Sequence, residues 1–320
     1  MLSIEPKDIE LKKRHGYLLG GIAPRPIAFV STVSKDGVNN LAPFSFFNAF
    51  GANPPTVAFS PARRGRDNTT KDTYQNLLDT KECVIHGVTY DMVQQMNLAS
   101  SEYSADVDEF EKSGFTPIDS DLVKPKRVKE SPFQLECKLV DMVEMGGEAG
   151  SGNFAICEVI KYHISEDILT DGHIDPYKID LVGRNGGAYY TRANGDALFE
   201  LSKPGLSLGI GFDRLPSYMK NSDVYTGNDL GKFAGVHEIP NLEEVESWIE
   251  SIELIDAEKE MFDRHARLGD YEFMLIVALS LAKKGEGSKV LFERVAKLAL
   301  EFEDIDFAWN VAAYCGSHFG

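Results

Sequence analysis

A cationic segment in the first third of the chain contains the residue types that bind an anion. The segment PARRGRDNTTKDT carries four cationic side chains: Arg63, Arg64, Arg66 and Lys71. Lys71 stands at the start of the pattern KDTYQNLLD, which predicts an amphipathic helix. Free N–H groups and the positive end of the helix dipole favour an anion such as phosphate at this point. The alternative for Lys71 is a solvated surface lysine.

The elements on either side would hold this segment in place. Thr56 to Ser60, TVAFS, predicts a short strand before it. Asn68 or Thr70 is the expected N-cap of the helix that starts near Lys71. The cationic loop therefore connects a strand to a helix.

A second stretch, from Pro24 to Asn48, predicts a β-hairpin. It reads PRPIAFVSTVSKDGVNNLAPFSFFN, with a tight reversal at Lys35-Asp36-Gly37. Pro43 has no N–H group and does not suit a central strand, so we expect a break or bulge there. A broken strand leaves backbone N–H and C=O groups that need partners, and a planar heteroaromatic ring can supply them.

The composition excludes several classes of protein. The 320 residues are 43% hydrophobic and 26% charged, with a formal net charge of −17, which argues against nucleic acid or an anionic membrane as the main partner. The four cysteines are scattered, so we expect buried thiols rather than disulfides or a zinc site. The N-terminus lacks an apolar signal core and no run approaches a membrane span, which predicts a cytoplasmic protein.

The first 200 residues favour a closed β-barrel. Short strands alternate with helices, and the two longest strands are predicted at Gln134–Met145 and Asn153–Ile164. No GxGxxG or GxxxxGK[ST] motif follows a strand, which disfavours a dinucleotide-binding Rossmann unit or a P-loop. Met1 to Gly21 is predicted to be a lead-in with a short strand around Ile9–Leu11.

From Leu201 onward the pattern becomes helical, so we divide the chain into residues 1–200 and 201–320. Leu206–Phe212 is predicted as a last extended segment, Asp213–Ala234 as turn-rich, and Asn241 as an N-cap. The predicted helices are Leu242–Arg267, Tyr271–Lys284, Ser288–Phe302 and Ile305–Tyr314. We find no internal repeat.

Several motifs in order resemble one known family. They are APRPIAFVSTVSKDGVNNLAPFSFFNAF, NPPTVAFSP, NTTKDTYQNL, DEFEKSGFT, ESPFQLEC and VGRNGGAYYT. Together they resemble the flavin reductase-like family with the FMN-binding split barrel, which includes flavoredoxin-type proteins. The resemblance implies a mainly β fold with α-helices, an FMN-binding split β-barrel over residues 1–200. The α-helical C-terminal extension lies outside it and has no assigned role.

The resemblance also implies the residues of a flavin site. The KDT motif at Lys71–Thr73 contributes to flavin binding in that family. Asp72 would cap the helix or orient its neighbours. Ser31 and Thr32 match a Ser-Thr pair whose hydroxyl groups can face the phosphate, the ribityl chain or the ring edge. Backbone groups from Ala42 to Asn48 would contact the ring. The candidate flavin-binding residues are Ser31, Thr32, Ala42, Pro43, Phe44, Ser45, Phe46, Asn48, Arg64, Lys71, Asp72, Thr73 and Arg184.

Three other residues carry competing interpretations. Arg184 is expected to complete the site or contact a nicotinamide nucleotide, with a barrel-closing ion pair as the alternative. Arg25, between two prolines, resembles a fixed position of the family, with a structural salt bridge as the alternative. His86 lies on an apolar strand and is expected to be a hydrogen-bonded core histidine.

These residues lead to an oxidoreductase as the first functional hypothesis. In it, NAD(P)H reduces FMN by hydride transfer, which needs no protein nucleophile and no metal. The first alternative is a flavoredoxin-type electron carrier that exchanges electrons with partner proteins without using NAD(P)H. A further alternative is an interaction protein whose helical tail binds a partner. Because both subunits contribute to each flavin pocket in the family, we also predict a homodimer.

Overall fold

The computed structural model describes residues 1–201 and 208–320. The chain falls into two compact units, residues 1–200 and residues 201–320. The extended segment predicted at Leu206–Phe212 lies partly outside the described residues. From residue 208 to residue 211 the chain forms neither helix nor strand.

The first unit combines strands with short helices. Its strands are β1 Ala28–Val33, β2 Asn39–Phe44, β3 Phe47–Ala52, β4 Pro55–Phe59, β5 Glu82–His86, β6 Pro117–Ile118, β7 Arg127–Val128, β8 Phe133–Glu144, β9 Asn153–Ile164, β10 Leu169–Thr170, β11 His173–Ile174, β12 Val182–Arg184 and β13 Tyr190–Arg192. Its helices are α1 Leu11–Gly21, α2 Asp72–Thr80, α3 Val93–Leu98, α4 Glu109–Ser113 and α5 Pro176–Ile179.

Seven strands form one antiparallel sheet in the order β2-β1-β5-β8-β9-β4-β3. Strands β2 and β3 lie at opposite edges, yet only Ser45 and Phe46 separate them in sequence. A flat sheet would hold these edges about 29 Å apart, whereas the chain from Phe44 to Phe47 spans at most about 11 Å. The sheet therefore curls until the ends of its edge strands meet, and the predicted split-barrel fold is confirmed.

Two apolar clusters flank the first half of strand β1 and explain why Ala28, Phe29 and Val30 are all apolar. Ala28 and Val30 face the barrel interior, and Phe29 faces the opposite side, where it packs beside α3 and α4. Alternate residues of a strand point to opposite faces, so a strand covered on both sides is apolar throughout. The interior cluster also contains Cys83, Cys137 and Cys157. All four cysteines are free and buried, as expected.

The expected strand around Ile9–Leu11 is wrong, because Leu11–Gly21 forms helix α1. The sequence LKKRHGYLLGG starts with Leu, Lys and Arg, which favour a helix. No residue of α1 is buried within this chain.

The strand break expected at Pro43 is also displaced. Pro43 lies within β2, and the chain bends only after Phe44. The Leu41 N–H points away from β1 and donates to Glu109 Oε2 at 3.1 Å. Because this direction repeats every second residue, the nitrogen of Pro43 also points outward from the edge strand, where no ladder hydrogen bond is lost.

The second unit is helical, as the sequence predicts. Its helices are α6 Ser217–Lys220, α7 Gly227–Ala234, α8 Leu242–Glu250, α9 Lys259–Leu268, α10 Tyr271–Lys283, α11 Lys289–Glu301 and α12 Ile305–Phe319. The single helix expected over Leu242–Arg267 is two helices, α8 and α9. The segment predicted as turn-rich contains α6 and α7, and Thr226 and Asp229 form a capping box at the start of α7. Asn241 caps α8 as expected.

The two last helix pairs share a sequence pattern that linear inspection missed. Helices α9 and α11 both read K-x-[ML]-F-[DE]-R-x-A-[RK]-L, and α10 and α12 both follow D-x-[ED]-F-x-x-x-V-A. Asp270 and Asp304 cap their helices in the same way, accepting from the N–H of Phe273 and Phe307. The expected absence of a repeat is therefore wrong. The second copy is four residues longer between its motifs, which hides the fixed period that reveals repeats.

His86 is a hydrogen-bonded core histidine, as expected. Its Nε2 accepts from the Val128 N–H at 2.9 Å, so Nδ1 carries the proton and donates to the Phe29 carbonyl at 2.7 Å. The ring is fully buried and both nitrogens are used in the neutral form. Burial lowers the pKa of His86 to about 4.

We expect the barrel to lose stability as the pH falls from 6.5 to 4. Over this window the unfolded histidine takes up a proton and the buried His86 does not. The free energy of unfolding therefore decreases by roughly 3 kcal/mol, with no effect of this residue above pH 6.5. Urea unfolding followed by far-UV circular dichroism at several pH values measures this slope. The His86→Gln variant should show a flatter slope, and equal slopes would contradict the assignment.

Candidate functional site

A pocket of about 400 Å³ opens where the two edge strands of the barrel meet. Residues from α1, α2, α3 and the β12–β13 hairpin surround it. Its lining includes six of the residues predicted from the sequence: Pro43, Phe44, Ser45, Phe46, Lys71 and Arg184. The structure therefore brings together the two stretches that the sequence singled out, the end of the hairpin and the cationic helix start.

The edge of strand β2 is covered on one side of Pro43 and open on the other. The Glu109 carboxylate accepts the Leu41 N–H and closes the edge at that point. Burial raises the pKa of Glu109 to about 7. Beyond Pro43 the chain bends at Ser45 and Phe46, which leaves the sheet edge accessible from the pocket.

Lys71 is one of three cationic side chains in the pocket lining, together with Arg25 and Arg184. It is half-buried, and its ammonium lies 5.2 Å from the centre of the Phe44 ring. Within the described parts of the chain, no carboxylate lies within 4.0 Å of it. Burial, and after it the charge of Arg64, lower the pKa of Lys71. A half-buried cation of this kind is stabilised by a bound anion.

Lys71 is also the N-cap of α2, in place of the expected Asn68 or Thr70. Asn68 instead accepts from Arg63 Nε at 2.7 Å, and the Thr70 carbonyl accepts from Arg64 Nη1 at 2.5 Å. The N-cap makes no side-chain hydrogen bond to the helix, so the N–H groups of the first turn lack a side-chain cap. Such a helix start can receive an anion.

Arg64 is not part of the pocket lining. Its Nε is 3.5 Å from the Glu102 carboxylate, which compensates the guanidinium charge. Arg64 therefore fixes the cationic loop and influences Lys71 electrostatically.

Three predicted hydroxyl groups are not brought to the pocket. Ser31, Thr32 and Thr73 are fully buried. Ser31 donates to a backbone carbonyl at 2.5 Å. Thr32 accepts from the side-chain amides of Asn40 and Asn76, and Thr73 accepts from Asn40 at 2.9 Å. The hydroxyl groups of Thr32 and Thr73 thus fasten α2 to strands β1 and β2. The Ser31 hydroxyl ties β1 to the chain just before β7, and the Ser-Thr pattern alone reveals neither role.

Three further predicted residues also lie outside the pocket lining. Ala42 packs against the barrel interior. Asn48 is exposed on β3 and accepts from the N–H of Ala49 at 2.8 Å. Asp72 lines a separate depression together with Asp79. None of the three side chains faces the candidate site.

Arg25 fixes one wall of the pocket through backbone carbonyl groups, and no carboxylate in the described chain pairs with it. It is 4% exposed and donates to the carbonyls of Leu19 at 2.7 Å, Ile22 at 2.6 Å and Asn185 at 3.1 Å. Its Nε lies 3.4 Å from Ser45 Oγ. The salt bridge considered as the alternative is replaced by these contacts, which tie α1 to the β12–β13 hairpin.

Arg184 pairs with neither an aspartate nor a glutamate among the described residues. Its guanidinium stacks 4.5 Å from the Tyr190 ring centre, donates to the Tyr190 hydroxyl, and donates to the Gly187 carbonyl at 2.6 Å. Arg184 therefore makes no barrel-closing ion pair with the residues that the structure describes, and it lines the pocket.

Sequence reasoning missed Ser60, His15 and Tyr190 as lining residues. The Ser60 hydroxyl is buried and has no hydrogen-bond partner among the described residues. Its position at the end of the TVAFS strand, next to the cationic loop, was the available signal. His15 was missed because Met1–Gly21 was expected to be a lead-in, and helix α1 was not predicted.

Residues 20–185 match the flavin reductase like domain family, which is more than half of the chain. The chain belongs to this family. The resemblance found from the motifs is thereby confirmed, and the family and fold support a flavin-binding oxidoreductase.

Relatives of this flavin reductase-like chain occur in distant bacteria. An uncharacterized protein of Aquifex aeolicus is 40% identical over 180 residues, covering 56% of this chain and 89% of the relative. An uncharacterized protein of Halalkalibacterium halodurans is 35% identical over 208 residues, covering 64% and 98%.

Solved structures show the same fold. Nitrilotriacetate monooxygenase component B from Bacillus cereus is 33% identical with a TM-score of 0.59, covering 63% of this chain and 98% of that protein. A candidate flavin reductase with a split barrel domain from Shewanella frigidimarina is 26% identical with a TM-score of 0.54, covering 63% and 100%. Within the described residues, no helix has the length and apolar character needed to cross a membrane.

We expect Arg25→Met to loosen the wall that Arg25 holds. The substitution leaves buried carbonyl groups of α1 and the β12–β13 hairpin without donors, at a cost of about 3 kcal/mol. Hydrogen exchange of residues 11–22 and 182–192 should accelerate. The matched control Arg14→Met, on the exposed side of α1, should leave exchange unchanged. Equal exchange in the two variants would contradict the role of Arg25.

Proposed function

We propose that this protein is an NAD(P)H-dependent flavin reductase that binds FMN in the pocket between the end of β2 and the start of α2. The observation that carries the proposal is the position of Lys71. It is a half-buried cation with no carboxylate partner among the described residues, at a helix start without a side-chain cap, and in the same pocket as the open sheet edge.

The cationic end of the pocket suits a phosphate group. Lys71 would supply the charge, and the first-turn N–H groups of α2 would donate hydrogen bonds. Thr73 and Asp72 would act through their backbone positions in that turn, since their side chains are turned elsewhere. Arg64 would hold the preceding loop in the conformation that presents Lys71.

The open end of the pocket suits a planar polar ring. The bend at Ser45 and Phe46 exposes the edge of the sheet, and Ser60 in the same lining carries a buried hydroxyl with no hydrogen-bond partner among the described residues. Phe44 and Met96 in the same lining provide apolar surface and exclude water from it.

FMN bound in this pocket would supply the hydride chemistry, and the chain would supply placement. Arg25 holds Ser45 and the hairpin in fixed positions, and Arg184, paired with Arg25 through their backbones, lies beside it with Tyr190. We propose that Arg184 contacts the nicotinamide nucleotide, because its charge lacks a carboxylate partner among the described residues and it lines the pocket. Protein side chains need not form covalent bonds in such a reaction.

Replacing Lys71 with methionine separates phosphate binding from ring binding. We expect Lys71→Met to raise the dissociation constant of FMN by about 10- to 100-fold, because a charge-assisted interaction is lost. Riboflavin lacks the phosphate, so its affinity should not change. Flavin fluorescence quenching measures both constants. An unchanged FMN affinity, or an equal loss of riboflavin affinity, would show that the phosphate does not bind at Lys71.

A steady-state assay tests the proposed reaction. Purified protein with FMN should oxidise NADH or NADPH, recorded as loss of nicotinamide absorbance. Retention of FMN with neither nucleotide oxidised would favour the flavoredoxin-type electron carrier. Activity that survives heat denaturation would indicate free flavin chemistry and count against the enzyme.

We propose that the protein is a homodimer, because helix α1 exposes apolar side chains that a second subunit would bury. None of its 11 residues is buried, and Tyr17, Leu18 and the following Ile22 are 47%, 51% and 60% exposed. An isolated helix of this length is marginal in water. Analytical ultracentrifugation should give twice the chain mass, and Leu18→Glu should shift the mass toward the monomer. A monomer in the unsubstituted protein would contradict this proposal.

The cytoplasmic location stays a prediction from the sequence.

A further inference from the structure

A second cavity, of about 260 Å³, lies on the other side of the β12–β13 hairpin from the candidate flavin pocket. The two share a wall. Arg25 and Ile27 line both, while the hairpin contributes Val182 and Thr191 to the cavity, and Arg184 to the flavin pocket. The cavity is not part of the site proposed above.

Every polar side chain in the lining of this cavity is already engaged by the protein. Arg25 donates to three carbonyl groups. Both ring nitrogens of His86 are hydrogen-bonded in the neutral form. The Thr191 hydroxyl accepts from the side chain of Asn185 at 2.7 Å. Each of the three polar side chains in the lining therefore already has a hydrogen-bond partner among the described residues.

The backbone around the cavity is engaged in the same way. The Gly87 N–H donates to the Phe133 carbonyl at 2.8 Å, and the Gly87 carbonyl accepts from the Ser131 hydroxyl. The Val182 N–H donates to the Val88 carbonyl at 3.0 Å. What remains exposed in the cavity is carbon, from side chains that include Phe47, Ile85, Phe133 and Leu135.

Size and lining together define the ligand class. A charged or strongly polar molecule would lose its hydration without gaining hydrogen bonds, which costs several kcal/mol. An apolar molecule gives up no hydrogen bonds by entering and removes carbon surface from water. Apolar cavities of about 150 Å³ in proteins bind benzene, so a cavity of 260 Å³ accommodates a ring with substituents or two fused rings.

We propose that this cavity is a binding site for a small, uncharged, hydrophobic molecule of one or two rings, next to the flavin pocket. The site does not depend on the proposed flavin reductase activity, because apart from Arg25 and Ile27, which line both, its lining lies outside the flavin pocket. A ligand bound there contacts the hairpin whose other side carries Arg184.

The test compares two probes with the same carbon skeleton on the full-length protein. Toluene is uncharged and benzoate is an anion, and both have seven carbon atoms. Ligand-observed NMR measures binding of each. We expect toluene to bind and benzoate to bind at least about tenfold more weakly. Absence of toluene binding, or equal binding of the two, overturns the proposal.

A filling variant identifies the location of binding. Ala193 lines the cavity, so Ala193→Leu should weaken toluene binding by about tenfold or more. Ala197→Leu makes the same change at an exposed position four residues away and should leave binding unchanged. Equal toluene affinity in the two variants would place the probe elsewhere and overturn the proposal.

A second filling variant keeps the test valid if Ala193→Leu does not fold. A Cβ atom at Gly87 would meet Leu181 and Phe133 at 3.5 and 3.6 Å, which is ordinary contact, so Gly87→Ala fits without strain. It should weaken toluene binding several-fold, and unchanged binding would overturn the proposal. FMN binding measured on the same samples tests the proposed function separately. If FMN does not bind, the toluene result still decides the proposal on the cavity.

Discussion

The whole first unit depends on a connection of two residues between opposite edges of a seven-stranded sheet. A connection made of only Ser45 and Phe46 is too short to span a flat sheet. The sheet therefore curls, and its edge strands meet without completing the hydrogen-bonded ladder. The point of closure is therefore also the point where the backbone edge is accessible. The candidate site lies there because the fold leaves this opening, and the neighbouring edge at Leu41 is closed by Glu109.

A network of buried polar side chains holds α2 against this opening. Asn40 connects Thr32 of the sheet to Thr73 of the helix, and Asn76 adds a second bond to Thr32. These bonds fix the start of α2, and with it Lys71, relative to the end of β2. Burying a cation without a counter-ion opposes folding. The protein maintains Lys71 in this state, which is the expected arrangement when an anion completes the site.

The sequence predicted the barrel, the helical second unit and the two stretches that form the pocket, because these depend on local patterns and on ordered motifs. It misassigned contacts that depend on tertiary packing. Ser31 and Thr32 carry hydroxyl groups suited to a ligand, but their bonding partners come from residues distant in sequence. Pro43 was interpreted as a strand break because the outward direction of its nitrogen depends on the strand register, which local sequence does not show. For Ser60 the sequence offered only its position next to the cationic loop, since an unbonded hydroxyl is visible only in three dimensions.

The central claim is that Lys71 and the bend at Ser45–Phe46 hold the two ends of one flavin nucleotide. Phosphorus NMR of FMN titrated into the protein, recorded together with flavin fluorescence, tests it most directly. The account predicts that the phosphate resonance shifts and the ring fluorescence changes at the same protein concentration, and that the resonance shift is lost in Lys71→Met. A ring that binds while the phosphate resonance stays at its free position would contradict it.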